Sequence, residues 1–366
     1  MPRLGRVSDS VELVFIVADI RSTLGQLHAA YQAYQNAFRL LADLGNPVVM
    51  GLEDLHRGVS DLYREWNRLD QAEDHLLAAE ELSDQLILMP DWRHRLSVSW
   101  ARLKMTQGDL EAALGWLDHA EQHYMRTPLP VLRSFEAWRA RVWMRQGALD
   151  AAQDWVARHG LTDAGEITYR REFDLITLAR LWLARGIADP GEAAWSRLHA
   201  LLARLLHAAQ AGGRLGSAIE ILVMRALAQV AEGDPPGALE PLRQALDLAE
   251  PSGYLRLFVD EGLPMQMLLG EAVKQGRATA YMRRLLAAFS AAPDQPGAPQ
   301  PLSEPLTERE LEVLRLLATD QSGPEIARHL IISLSTLRTH IRNIYGKLGV
   351  NSRRAAVRRT SELTLR

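Results

Sequence analysis

Arg338, Thr339 and Arg342 are the residues whose types and spacing best suit a chemical task in this 366-residue chain. An arginine can donate two hydrogen bonds to the edge of a guanine, and a threonine methyl can pack on the methyl of thymine. Leu337, Ile341, Ile344 and Leu348 recur between them at helical spacing. If that apolar stripe faces a core, the Arg-Thr-Arg stripe faces away from it near the start of the helix, the part that a recognition helix presents to the major groove. The surrounding charge agrees. From Arg328 to Arg366 there are nine Lys or Arg against the single Glu362, although the whole chain has a net charge of −3. The basic footprint is therefore local, and the residues before 302 carry an excess of acid.

Other candidates are weaker. Tyr63, Trp143 and Trp182 share one position of an internal repeat and are candidates for lining an effector or partner groove, with packing between repeats as the simpler account. His119 and His123 lie one helical turn apart but lack the His-Glu-x-x-His order of zinc peptidases, so no metal site is expected. No convergent acid, base or nucleophile set suggests an enzyme. The absence of cysteine removes disulfides, thiolate metal sites and cysteine nucleophiles, and suits a reducing, cytoplasmic setting. No phosphate-binding Gly-x-x-x-x-Gly-Lys-Ser/Thr run occurs, so no nucleotide or other cofactor is expected. No apolar run approaches the ~18 residues of a membrane span, which predicts no membrane partner.

The elements that must position the Arg-Thr-Arg stripe are legible from their ends. Thr307-Glu308-Arg309-Glu310 has the pattern of a capping box, followed by Leu311, Leu314, Leu317 and Ala318 as one expected apolar face. Ser322-Gly323-Pro324-Glu325 is a second capping box, opening a short helix that carries Ile326 and ends near Leu330. After the turn Ile331-Ile332, Ser333 is placed to cap the third helix, and Gly349 to end it in a left-handed conformation. Leu311, Leu314, Ile326 and Ile344 are expected in the core.

Upstream, prolines 293, 296, 299, 301 and 305 mark a semi-rigid linker over 291–305. Residues 1–290 repeat themselves, with anchors at Gly25, Asn67, Gly108, Gly147, Gly186 and Gly233, spaced about 40 residues apart. Seven residues before each anchor stands a small residue (Ala18, Ser60, Ala101, Ala140, Ala179, Ala226), and five before it Ile20, Leu62, Leu103, Val142, Leu181 or Ala228. Five after it comes Ala30, Ala72, Ala113, Ala152 or Ala238, with Gly186 the exception. Each unit reads as helix, turn, helix. A single pair buries only one face, so stacked pairs must build a superhelix with a concave surface.

The C-terminal phrases Leu306-Thr307-Glu308-Arg309-Glu310-Leu311, Glu325-Ile326-Ala327, Leu337-Arg338-Thr339-His340-Ile341-Arg342-Asn343-Ile344 and Lys347-Leu348-Gly349-Val350 closely resemble the LuxR/FixJ-type helix-turn-helix domain. The resemblance implies base contacts from Arg338, Thr339 and Arg342, phosphate contacts from Ser335, Thr336, Lys347, Ser352 and Arg353, and dimer contacts from a fourth helix beginning near Ser352. Three positions depart from the family pattern: Asp320 for a usual Gly, Gly323 for a usual Asn, and Gly346 for a usual basic residue. Gly346 costs the helix about 1 kcal/mol relative to alanine and removes one expected phosphate contact. The repeat region resembles tetratricopeptide repeats, and phrases such as Gly108-Asp109-Leu110-Glu111-Ala112-Ala113 and Ser252-Gly253-Tyr254 are similar to the sensor of the MalT-like, large ATP-binding LuxR regulators, over roughly residues 18 to 290. That family normally has an ATPase module ahead of the sensor.

The expectation is an all-α chain: a tetratricopeptide-like helical-repeat superhelix (1–290), a proline-rich linker (291–305) and a four-helix LuxR-type helix-turn-helix domain (306–366). It implies a non-enzymatic transcriptional regulator that binds double-stranded promoter DNA as a homodimer, engages the transcription machinery and receives an effector ligand or protein partner on its repeats. The alternative is a protein-protein interaction scaffold with a weak or vestigial DNA-binding domain.

Overall fold

The computed structural model describes residues 2–45, 47–82, 91–125, 133–189, 192–276, 279–290, 306–319, 321, 323–348 and 356. These residues form helices and turns, with no strand among them. The chain divides into two compact units, Met1–Thr106 with Leu110–Ser290 and Ala291–Arg366 with Gln107–Asp109. The linker expected over 291–305 lies outside the described residues.

The first unit is a series of helix pairs: α1 (Pro2–Thr23) with α2 (Leu27–Asp43), α3 (Leu52–Glu65) with α4 (Leu69–Leu82), α5 (Trp92–Thr106) with α6 (Leu110–Gln122), α7 (Phe135–Arg145) with α8 (Leu149–Arg158), α9 (Tyr169–Ala188) with α10 (Glu192–Ala211), and α11 (Leu215–Ala231) with α12 (Pro235–Ala249). Gly25, Asn67, Gly108, Gly147 and Gly233 end the first helices of their pairs with φ between +58° and +84°. Glycine enters that region without a Cβ penalty and asparagine at modest cost, which explains why one anchor is Asn. The small residues seven before the anchor and the alanines five after it are all buried. In the second pair these two positions meet: the Ser60 hydroxyl donates to the Ala72 carbonyl at 2.8 Å.

Two expectations are corrected. Gly186 is not a turn residue; it lies inside α9, where a Cβ would stand 2.9 Å from Cη2 of Trp195. The ~40-residue spacing picked out a glycine used for close helix packing, while α9 runs on to Ala188. Ile20 is 53% exposed rather than inward-facing like Leu62, Leu103, Val142, Leu181 and Ala228.

After α12, a 3₁₀ turn (Glu250–Ser252) and α13 (Arg256–Val259) cross the ends of successive first helices. The Trp66 indole N–H donates to Ser252 O at 3.0 Å, and the Ser252 hydroxyl donates to Gly25 O. The Leu255 N–H donates to Glu65 O at 3.2 Å, and the Leu257 N–H to the Glu65 carboxylate at 3.1 Å. Arg256 donates to Asn67 Oδ1 at 2.9 Å and to Thr106 O at 3.1 Å. Arg145 reaches Asp260 O at 3.0 Å, and Arg180 pairs with Glu261 at 2.8 Å. Segment 252–261 therefore ties together the ends of α1, α3, α5 and α7 and reaches the body of α9 at Arg180. Next to the same turn, the Cβ that Gly25 lacks would lie 2.5 Å from Leu215 Cβ, so the start of α11 packs against the first turn of the array. Helices α14 (Leu263–Lys274) and α15 (Ala280–Ser290) complete the unit.

The second unit has its own core, built on α16 (Glu308–Leu317), α17 (Gly323–His329) and α18 (Leu334–Leu348), with Ala356 buried in it. Among the described residues no helix is long and apolar enough to cross a membrane.

Candidate nucleic-acid interface and ligand cavity

In the second unit the first capping box forms as expected. The Glu310 N–H donates to the Thr307 hydroxyl at 3.3 Å, and the Thr307 N–H donates to the Glu310 carboxylate at 2.8 Å. The carboxylate is buried and also accepts from Lys347 Nζ at 2.8 Å, which ties α16 to the end of α18. Burial alone would raise the Glu310 carboxyl; the hydrogen bonds from Lys347 and Thr307 prevail and hold it below the ordinary carboxylate range. This inward carboxylate also fixes the phase of α16. Val313, Leu314 and Leu317 are buried, whereas Leu311, one residue on from Glu310, is 37% exposed, and Ala318 is exposed too. The expectation that Leu311 and Ala318 join the core is thereby corrected.

Arg309 donates to Leu330 O at 2.8 Å, fixing the end of α17 beside α16. The turn that follows passes through Ile331 at φ +53°. Ser333 caps α18, accepting the Thr336 N–H at 3.1 Å. Leu337, Ile344 and Leu348 are buried, Ile341 is half-buried, and Thr336 and Thr339 are exposed. Arg338 and Arg342 occupy α18 one turn apart, with Ser335 at its start; the side chains of these three lie outside the described residues. So do Asp320, Ser322, Gly349, Ser352 and Arg353, and with them the second capping box, the expected C-cap and the fourth helix.

Lys347, an expected phosphate contact, is thus already paired with a buried carboxylate. Lys347→Ala is expected to lower the stability of α16 and α18 by about 1–3 kcal/mol, because Glu310 loses a charged partner inside the core. The folded-state carboxyl sits below its unfolded value, so its stabilising contribution is full at neutral pH and disappears as pH falls through the folded value. Hydrogen exchange of α16 and α18 amides at pH 7 measures the change; unaltered protection would show that Lys347 is dispensable to the core.

The first unit encloses a cavity of about 1020 Å³. Asp19, Asp61, Arg102, Arg141 and Arg180 line it. Each stands six residues before an anchor, from Gly25 to Gly186, so successive first helices contribute one rung apiece. Arg102 pairs with Asp61 at 2.8 Å, and Glu220 accepts from both Arg141 (2.8 Å) and Arg180 (2.7 Å). Burial opposes ionisation of Glu220, but the two guanidiniums prevail and bring its carboxyl down to about 2. Burial pushes Arg102 and Arg141 down to about 10, with Asp61 and Glu220 opposing the shift and the cation of Arg133 adding to it.

Tyr63, Trp143 and Trp182 do not line this cavity. They stand four before their anchors, about 200° around the helix from position six. The Tyr63 hydroxyl meets that of Tyr31 at 2.8 Å, Trp182 packs beneath the Arg197 guanidinium at 4.5 Å, and Trp143 lines a smaller pocket with Trp155 and His159. The charged rungs were overlooked in the sequence, although their signal is there: a charge six before five successive anchors, between a buried small residue and an apolar one. His119 and His123 lie with ring centroids 4.3 Å apart, His119 bonded to Ser97 at 3.0 Å; no group of three metal-binding side chains occurs among the described residues.

Residues 4–275 match the family model described as the MalT-like TPR region, and residues 304–360 match that of the luxR family of bacterial regulatory proteins. Similar curated proteins include the HTH-type transcriptional regulators MalT of Yersinia pestis (strain Pestoides F) and of Serratia proteamaculans (strain 568). Both are 26% identical, over 373 and 374 residues respectively, covering 94% of this chain. The chain spans 40% of the length of either relative. A solved Rap protein, complexed with competence and sporulation factor, aligns at TM-score 0.47 and 13% identity over 78% of this chain and 76% of that one.

Proposed function

The chain belongs to the family defined by the MalT-like TPR region and carries a luxR-type regulatory domain, and on this premise we propose that it is a cytoplasmic, non-enzymatic transcriptional regulator that binds promoter DNA through α17 and α18. Its repeat unit receives the signal, a small effector held in the charged cavity. The observation that carries the DNA-binding reading is α18 itself. It is capped by Ser333, buried along Leu337, Ile344 and Leu348, and exposed at Thr336 and Thr339 beside the positions of Arg338 and Arg342. A polar, cationic helix start held off a core by a tight turn has the form of a recognition helix. The basic segment beyond Arg328 supplies charge for phosphate contacts, Ser335, Thr336, Ser352 and Arg353 among them, and the acidic balance of the repeats keeps DNA on the second unit. Dimerisation through the segment from Ser352 would place two recognition helices on half-sites separated by whole helical turns, where the bound dimer engages the transcription machinery.

The test is binding of the full chain to a pool of random duplexes. A selected motif is expected, with affinity falling on the order of a thousandfold between 50 and 200 mM salt if about six phosphates are neutralised. Binding that selects no motif and ignores salt would overturn the regulator in favour of a protein-protein scaffold.

A further inference from the structure

We propose that the cavity of the first unit takes a small organic anion, a carboxylate or phosphate on a flat apolar body, with the anionic head at Arg133 and Arg141 and the body against Trp138 and Phe173. The inference rests on the reading of this cavity as the effector site and deepens it. All four residues line the cavity. With Arg102 of α5 they form an alternating series of cations and rings drawn from α5, α7, α9 and Arg133 just ahead of α7. The Arg102 guanidinium lies 5.2 Å from the Trp138 ring, and Arg141 lies 5.2 Å from the same ring and 4.2 Å from Phe173. Arg133 lies 5.7 Å from Phe173, and the two rings are 4.9 Å apart.

The whole lining carries ten carboxylates against nine arginines, but the acids nearest these rings are shared between guanidiniums. Asp61 is shared by Arg102 and, at 3.9 Å, Arg57. Glu220 is shared by Arg141 and Arg180. Among the described residues, Arg133 has no carboxylate within ion-pair distance, and its guanidinium lies by the Phe173 ring. Arg141 donates through Nε to Thr177 at 2.9 Å and through Nη1 to Glu220, but its buried Nη2 meets no acceptor. With only 10% of the Arg141 side chain exposed, that N–H has lost water without gaining a partner, which is unfavourable in a core. An oxyanion seated between Arg133 and Arg141 supplies acceptors to both guanidiniums, and charge-assisted bonds of this kind are the strong ones. A neutral ligand leaves Arg133 without a counter-charge. A volume of about 1020 Å³ is of small-molecule size, and segment 252–261 crosses the helix ends beside it, which favours a compact ligand over a polymer.

Calorimetric titration of the full chain with matched pairs tests this: benzoate against benzamide, indole-3-acetate against indole-3-acetamide, and phenyl phosphate against phenol. At least one anion is expected to bind tenfold or more tightly than its neutral partner, the carboxylates and the phosphate identifying which head is preferred. Arg133→Gln, at an exposed position, is expected to remove most of that preference while leaving the melting temperature unchanged. Neutral partners binding as tightly as the anions, or an unaltered preference in Arg133→Gln, would overturn the anion assignment and leave the effector cavity standing. If no member of any pair binds at millimolar concentration, the effector reading falls with it.

Discussion

Glu220→Ala is expected to destabilise the repeat unit by about 3–5 kcal/mol, the range found when one partner of a buried ion pair is removed and the other charge is left behind. Glu220 is the shared acceptor of Arg141 and Arg180, on α7 and α9, while it stands itself on α11. Its loss leaves two largely buried guanidiniums on neighbouring repeats without their shared acid, and Arg180 alone retains one, Glu261. Urea unfolding at pH 7 measures the effect. The pH dependence supplies a second signature. With the folded carboxyl brought down to about 2 from an ordinary 4.5, the stabilisation is complete above the unfolded value and is lost as pH falls from about 4.5 towards 2. That loss is on the order of 3 kcal/mol. The variant should lack this part of the acid transition. A variant as stable as the parent, with the same acid transition, would mean that the arginines find other partners.

For the DNA-binding unit, Arg338→Ala should cost about 1–3 kcal/mol on the preferred duplex and relax the preference at one base position. Arg342→Ala should do the same at a neighbouring position, since the two residues are one turn apart on α18 and enter the same groove in this reading. Selection of bound sequences with each variant checks both. Thr336→Ala, at an exposed position of the first turn, should instead weaken all duplexes alike, because phosphate contacts set register and carry little sequence information. A full motif retained by Arg338→Ala would mean that α18 docks in another orientation.

Local rules made much of this architecture readable. The buried small residues before the anchors and the alanines after all but Gly186, the capping box at Thr307 and Glu310 and the cap at Ser333 are short-range patterns, and the structure bears them out. Gly186 was misread because spacing alone does not distinguish a glycine in a turn from one that admits the Trp195 ring. Leu311 was misread because the reading ignored Glu310 as an inward residue, and a buried carboxylate rotates the apolar face by one position. The cavity was hardest to see. Its rungs are charged, and charge on an amphipathic helix reads as solvated surface until a second side, supplied here by residues of α11 and the segment after α12, encloses it.

The ties made by Ser252–Glu261 also bear on how this chain folds. In an open solenoid each repeat touches only its neighbours, so stability adds along the array and the terminal repeats fray first. Here Trp66 and Ser252 are 186 residues apart in sequence, Asn67 and Arg256 189, and Gly25 and Ser252 227. The first pair cannot fray without also releasing the segment that follows the last repeat pair. Ring closure therefore turns a nearest-neighbour array into a single cooperative unit, and because those contacts form only after most of the chain is ordered, the closing step makes folding slow relative to an open array of the same helices.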